Sequence, residues 1–202
     1  MKLYFKPGAC SLASHIVLEE SESNFELDQV DTDKKLTEHD TDYLKINPKG
    51  YVPALELSSG DTLTEGPAIL QFLADRFPDK HLLPASATLE RAQVIESLTY
   101  TSSELHKAFS PLFRSDSTEQ DKSQAKSNVA DKFNYIEQRL ADGREFIVGA
   151  QFSIADAYLF VVSNWSNFVG VPINNWPSLS KYITKIAQRP SVKRAMTSEG
   201  LI

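Results

Sequence analysis

The sequence predicts an α/β domain followed by an all-helical one. Three observations carry this: every strand-like run lies before residue 65, a Pro-rich break follows ("FPDKHLLPASAT"), and beyond it only helical spacing recurs. With 202 residues, the chain is long enough for two small domains.

The first domain is read in order. "KLYF" (Lys2–Phe5) is a short buried strand, and Pro7-Gly8 a turn. Leu12, Ala13, Ile16 and Val17 recur at helical spacing, so a helix starts near Cys10 or Ser11. "FELDQV" (Phe25–Val30) alternates as a second strand, and Asp31 to Lys45 reads as loop with irregular helix. Asn47-Pro48-Lys49-Gly50 is a turn. A strand from Val52 to Leu57 follows, and Pro53 in it demands an open edge or a special bonding geometry. Ser59-Gly60-Asp61 turns the chain into a returning strand at Thr62–Thr64, and a helix runs from about Pro67 to Phe77.

Beyond the break, residues from about 88 to 113, 120 to 141, 153 to 168, 177 to 188 and 190 to 197 read as helices. Val129, Phe133, Ile136 and Leu140 mark one amphipathic stripe. "FSIADAYLFVV" is apolar on all sides, with Ser153 and Asp156 spaced as a capping box and Phe152 placed to pack back on the helix. The expected division is 1–80, a linker at 81–87, and a helical domain at 88–202.

The net charge of −6 with dispersed Lys and Arg argues against a nucleic-acid partner. No apolar run is long enough to span a bilayer, no signal peptide is visible, and one cysteine excludes an internal disulfide, so a reducing cytoplasm is expected. His15, His39, His81 and His106 form no metal-ligand spacing with Cys10, and no metal is expected.

Cys10 is the candidate for chemistry. A thiol at a helix start faces unpaired N–H groups and the positive end of the dipole, which favour a thiolate. With no second cysteine its partner must come from outside, most simply a small thiol. Position alone leaves open an inert buried cysteine. A peptide-like thiol would need main-chain partners, which Val52 beside Pro53 can offer. It would also need a carboxylate site, which the Gly66 N–H can offer. Glu65 can meet an ammonium or simply cap a helix start.

"KPGACSLASHI", "NPKGYVPAL", "LTEGPAIL", "LADRFP", "ELHKAFSPLF" and "FSIADAYLF", in this order, resemble the cytosolic glutathione transferases, most closely the bacterial beta class. The resemblance covers essentially the whole chain. It implies a thioredoxin-like N-terminal domain, a helical C-terminal domain and a homodimer that uses glutathione as co-substrate. It implies that Cys10 contacts the glutathione sulfur and can form a mixed disulfide with it. Pro53 is then a cis-proline that places Val52 for the cysteinyl backbone, while Glu65 and Gly66 hold the γ-glutamyl end and Lys35 the glycine carboxylate. Gly66 stands where many members have Ser, leaving the backbone N–H without the hydroxyl. His106 and Lys107 would face the sulfur, and Thr99 and Glu104 would lie where a partner subunit can reach glutathione. Other classes activate the thiol with Tyr or Ser; here Tyr4 reads as a core residue and Ser11 as a helix-start residue. His15 reads as structural.

The expected activity is conjugation of the glutathione thiolate to an electrophilic small molecule, with apolar surface from Phe109, Pro111 and Phe113. Thiol–disulfide exchange or peroxide reduction is the second enzymatic reading, because a lone accessible thiol suits it. A non-catalytic regulatory binding protein of the same fold is the third. The retention of Cys10, Lys35, Pro53, Glu65 and His106 speaks against it.

Overall fold

The computed structural model describes all residues, Met1–Ile202. The chain forms two compact units, Met1–Leu83 with Gln188–Ile202, and Pro84–Ala187. The last helix thus belongs to the first unit, and the expected helical domain at 88–202 is shortened accordingly. The reason is local: α8 (Pro190–Ser198) packs on α1 (Ser11–Ser21). Arg189 and Arg194 of this C-terminal segment also pair with Glu20 and Glu19 of α1.

The first unit is built on a five-stranded sheet of order β3-β2-β1-β4-β5. The strands are β1 (Lys2–Phe5), β2 (Glu26–Asp31), β3 (Leu36–Thr37), β4 (Ala54–Glu56) and β5 (Thr62–Thr64). β1 and β2 are parallel, joined across α1, and the remaining pairs are antiparallel. Side chains alternate along β1, so Tyr4 joins Val30, Tyr43 and Ala54 in one cluster while Phe5 reaches the His15 ring on α1. α1 is buried along nearly its whole length, because β1, α8 and α2 (Gly66–Arg76) all pack on it.

Two details differ from expectation. The loop after β2 contains the two-residue strand β3, too short to give a periodic signal. The strand expected from Val52 begins only at Ala54, and it is central, flanked by β1 and β5. Pro53 therefore avoids the ladder by preceding the strand rather than by lying on an edge.

The second unit is helical: α3 (Leu89–Tyr100), α4 (His106–Phe113), α5 (Glu119–Leu140), α6 (Ile154–Asn164) and α7 (Pro177–Ala187). A π turn at Thr101–Leu105 joins α3 to α4, and at its start Thr101 Oγ1 donates back to the Ser97 carbonyl of α3 at 2.9 Å. The stripe Val129, Phe133, Ile136 and Leu140 is buried as the spacing predicts. α6 is buried from Ile154 to Ser163, and the Asp156 carboxylate accepts from the Ser153 N–H at 2.8 Å and its hydroxyl at 2.7 Å. No helix is long and apolar enough to cross a membrane.

Candidate functional site

The turn Lys6–Ala9 and the start of α1 position Cys10. Gly8 supplies the positive φ of +70° that the turn requires. Ser11 Oγ, fully buried, both accepts from the Lys6 N–H and donates to the Lys6 carbonyl, at 3.2 Å each, which ties the turn to the helix. Cys10 is the N-cap of α1 and half-buried, and its thiol donates to the Val52 carbonyl at 3.3 Å. The thiol is thereby aimed at the main chain of the segment before β4.

That segment is anchored in turn. The Val52–Pro53 peptide is cis. The preceding Tyr51 carbonyl accepts two hydrogen bonds, from the Tyr43 hydroxyl and from Asn47 Nδ2, each at 2.7 Å. Asn47 was legible only as a turn residue; its side-chain role needed the fold. Lys35 Nζ donates to the Gly50 carbonyl at 3.1 Å. A Cβ at Gly50 would lie 3.1 Å from that ammonium, a tight contact, and the φ of +67° itself favours glycine there. Lys34 is committed elsewhere, paired with Asp31 at 3.0 Å.

Glu65 has φ +72°, a conformation that L side chains rarely adopt, as it leads from β5 into α2. Its carbonyl accepts from Ala68 and Ile69, and Pro67 has no N–H, so the Gly66 amide is the first-turn donor without a helical partner. The Glu65 carboxylate accepts from Lys49 Nζ at 2.6 Å, and the same ammonium donates to Thr64 Oγ1 at 3.0 Å. Lys49 was not singled out from sequence, where it reads only as part of a turn.

Tyr4 is a core residue. Its hydroxyl donates to Glu56 at 2.6 Å, and burial, reinforced by the Glu56 carboxylate, pushes its pKa well above the ordinary tyrosine value. It cannot serve as a thiol-activating phenolate at neutral pH.

In the second unit, His106 opens α4. Its Nδ1 lies 2.7 Å from the Tyr158 hydroxyl, and its ring meets Trp165 edge-on at 4.8 Å. Burial, with the neighbouring Lys107 charge, lowers its pKa to about 4. His106 is therefore a neutral imidazole at pH 7, and any positive charge here is that of exposed Lys107. Glu104 is engaged by Lys132 at 2.6 Å, and Thr99 is exposed on α3. Phe109 is 0% exposed and packs against Phe133 and Trp165, so it is core rather than pocket surface. Phe113 is 55% exposed, and Pro111 is half-buried.

Comparison with known proteins decides the family. Residues 8–76 match the model of the glutathione S-transferase N-terminal domain, and 100–190 that of its C-terminal domain. The chain is 46% identical to glutathione S-transferase GstA of Escherichia coli O157:H7 over 100% of both chains. It belongs to the glutathione S-transferase family. A bacterial beta-class glutathione S-transferase of Sphingomonas chungbukensis superposes with a TM-score of 0.97 at 46% identity, covering 100% of both chains. A sphingomonad glutathione S-transferase complexed with glutathione gives 0.96 at 44% identity, again over 100% of both. The sheet of the first unit and the helices of the second are the family's thioredoxin-like and helical parts.

Proposed function

We propose that this transferase adds the glutathione sulfur to an electrophilic carbon of small molecules, with Cys10 beside the bound sulfur. The observation that carries the reading is the Cys10 thiol held 3.3 Å from the carbonyl of Val52, next to cis-Pro53. In this reading the cysteinyl N–H of glutathione takes over the Val52 carbonyl from the thiol, which frees Cys10 to turn to the ligand. The γ-glutamyl carboxylate accepts from the Gly66 N–H, its ammonium meets Glu65, and Lys35 takes the glycine carboxylate. Glutathione loses its thiol proton, its sulfur forms a bond to carbon, and a halide leaves or a proton is added at the neighbouring carbon. Holding a desolvated thiolate beside the electrophile supplies most of the rate. By the family likeness alone, His106 and Lys107 favour that thiolate, and Thr99 and Glu104 serve a homodimer. A cytoplasmic location and a particle of twice the chain's 22.6 kDa go with it, the latter read by light scattering.

The half-buried Cys10, which is in no disulfide, supports thiol–disulfide exchange as a second activity. Its thiolate attacks oxidised glutathione, forming a mixed disulfide and releasing one reduced glutathione. Calorimetric titration with reduced glutathione is the first test, with initial rates on an aryl halide and on a mixed disulfide. Binding that Glu65→Ala weakens, with turnover of the aryl halide, supports the reading. No binding at millimolar ligand overturns it. Cys10→Ala should abolish the mixed disulfide seen by mass spectrometry; an unchanged yield removes Cys10 from the chemistry.

A further inference from the structure

We propose that Asp28, Glu38 and His39 bind a first-row divalent metal ion at the β2–β3 side of the sheet. One ligand atom from each of the three residues lies within 4.8 Å of the other two. Two ligand atoms on one such ion, each about 2.1 Å from it, are at most about 4.2 Å apart. A small rotation of the exposed Glu38 and His39 side chains closes the difference.

The fold brings these residues together where a strand pair ends. β2 and β3 pair Val30 with Thr37 and Asp31 with Leu36, and Glu38 and His39 follow in the turn that leaves β3, close to Asp28 of β2. Glu38 is fixed beside them, since its N–H donates to the Gln29 carbonyl at 2.7 Å and its Oε1 accepts the Gln29 N–H at 3.0 Å. Its other carboxylate oxygen is left for a ligand.

A second observation comes from Asp28 itself. The residue is 5% exposed, yet its Oδ1 is buried without a hydrogen-bond partner. Buried polar atoms are nearly always paired, and an orphan calls for an ion or water. One imidazole nitrogen with two carboxylate oxygens suits zinc, cobalt or manganese, and exposed Glu38 and His39 leave positions for water. None of the three residues is among those assigned to glutathione.

The test is titration of chelator-treated full-length protein with Co²⁺ and then Zn²⁺, in a Cys10→Ser background so that the thiol cannot bind metal. One equivalent of Co²⁺ should bind with visible d–d absorption and be displaced by Zn²⁺. His39→Ala and Glu38→Gln, both at exposed positions, should each weaken Co²⁺ about tenfold or more. Asp28→Asn should do the same, and Zn²⁺ should raise the melting temperature of the background but not of His39→Ala. Absence of Co²⁺ binding at millimolar metal, or equal binding in the His39→Ala protein, overturns the site.

Discussion

Glu199 and His15 stand 184 positions apart in sequence, and the Glu199 Oε1 accepts from the His15 Nδ1 at 2.9 Å where neither side chain is exposed. The other carboxylate oxygen accepts the Gly8 N–H at 2.9 Å. One buried carboxylate from the C-terminal segment thus fixes both the interior of α1 and the turn that delivers Cys10. Removing it leaves the buried imidazole without its acceptor and takes one from the half-buried Gly8 amide, a change that costs about 3 kcal/mol or more. Glu199→Ala should therefore destabilise the first unit by that amount, with α1 amides exchanging faster with solvent deuterium. Unchanged exchange in α1 would contradict the role given to Glu199.

The neutral state of His106 sets a pH dependence. Its pKa falls from 6.5 to about 4 on burial, so below pH 6.5 the unfolded chain takes up the proton before the folded one. Stability therefore declines as pH drops from 6.5 towards 4 and is level above that window for this group. Urea midpoints measured across the window should slope less in His106→Phe than in the parent.

Much of this was legible in the sequence, for stated reasons. Helices such as Glu119–Leu140 bury one face and so write a period into the chain, and Pro53 and Gly50 announce special backbone where side chains cannot. What escaped was long-range. Glu199 was not singled out, and α8 could not be assigned to the first unit, because neither partner is near in sequence. Asp28 and His39 meet only through a two-residue strand with no period to read. Phe109 and Phe113 looked equivalent, but one turns into the helices and the other to solvent. Cys10 and Glu65 were candidates from their places at helix starts and the family likeness gave them expected roles, whereas Lys49 became visible only through its ammonium on Glu65.

Asp156 should govern the stability of the second unit. Its fully buried carboxylate accepts from Ser153 N–H and hydroxyl, from the Ile147 N–H at 2.8 Å and from the Tyr182 hydroxyl at 2.7 Å. Asp156→Ala would strand several buried donors at once, for a loss of about 3–5 kcal/mol. Ser153→Ala removes a single hydroxyl and should cost about 1 kcal/mol. Both tryptophans, Trp165 and Trp176, lie in this unit, so intrinsic fluorescence during urea unfolding reads it directly. Equal midpoints for the two variants would show that Asp156 is not the hub of this network.

Lys49 and Glu65 separate a structural ion pair from a ligand-binding carboxylate. Their side chains are 49% and 65% exposed, and pairs that open to water are worth at most about 1 kcal/mol. Lys49→Ala should then change the glutathione dissociation constant by less than about fivefold, since 1 kcal/mol corresponds to about that factor. In the proposed reading, Glu65→Ala removes a charged acceptor for the γ-glutamyl ammonium, worth about 1.5–3 kcal/mol, and should weaken binding by at least about tenfold. Calorimetry of both variants at two salt concentrations distinguishes the cases. If Lys49→Ala loses as much affinity as Glu65→Ala, then Lys49 itself holds the ligand, and the γ-glutamyl assignment to Glu65 has to be withdrawn.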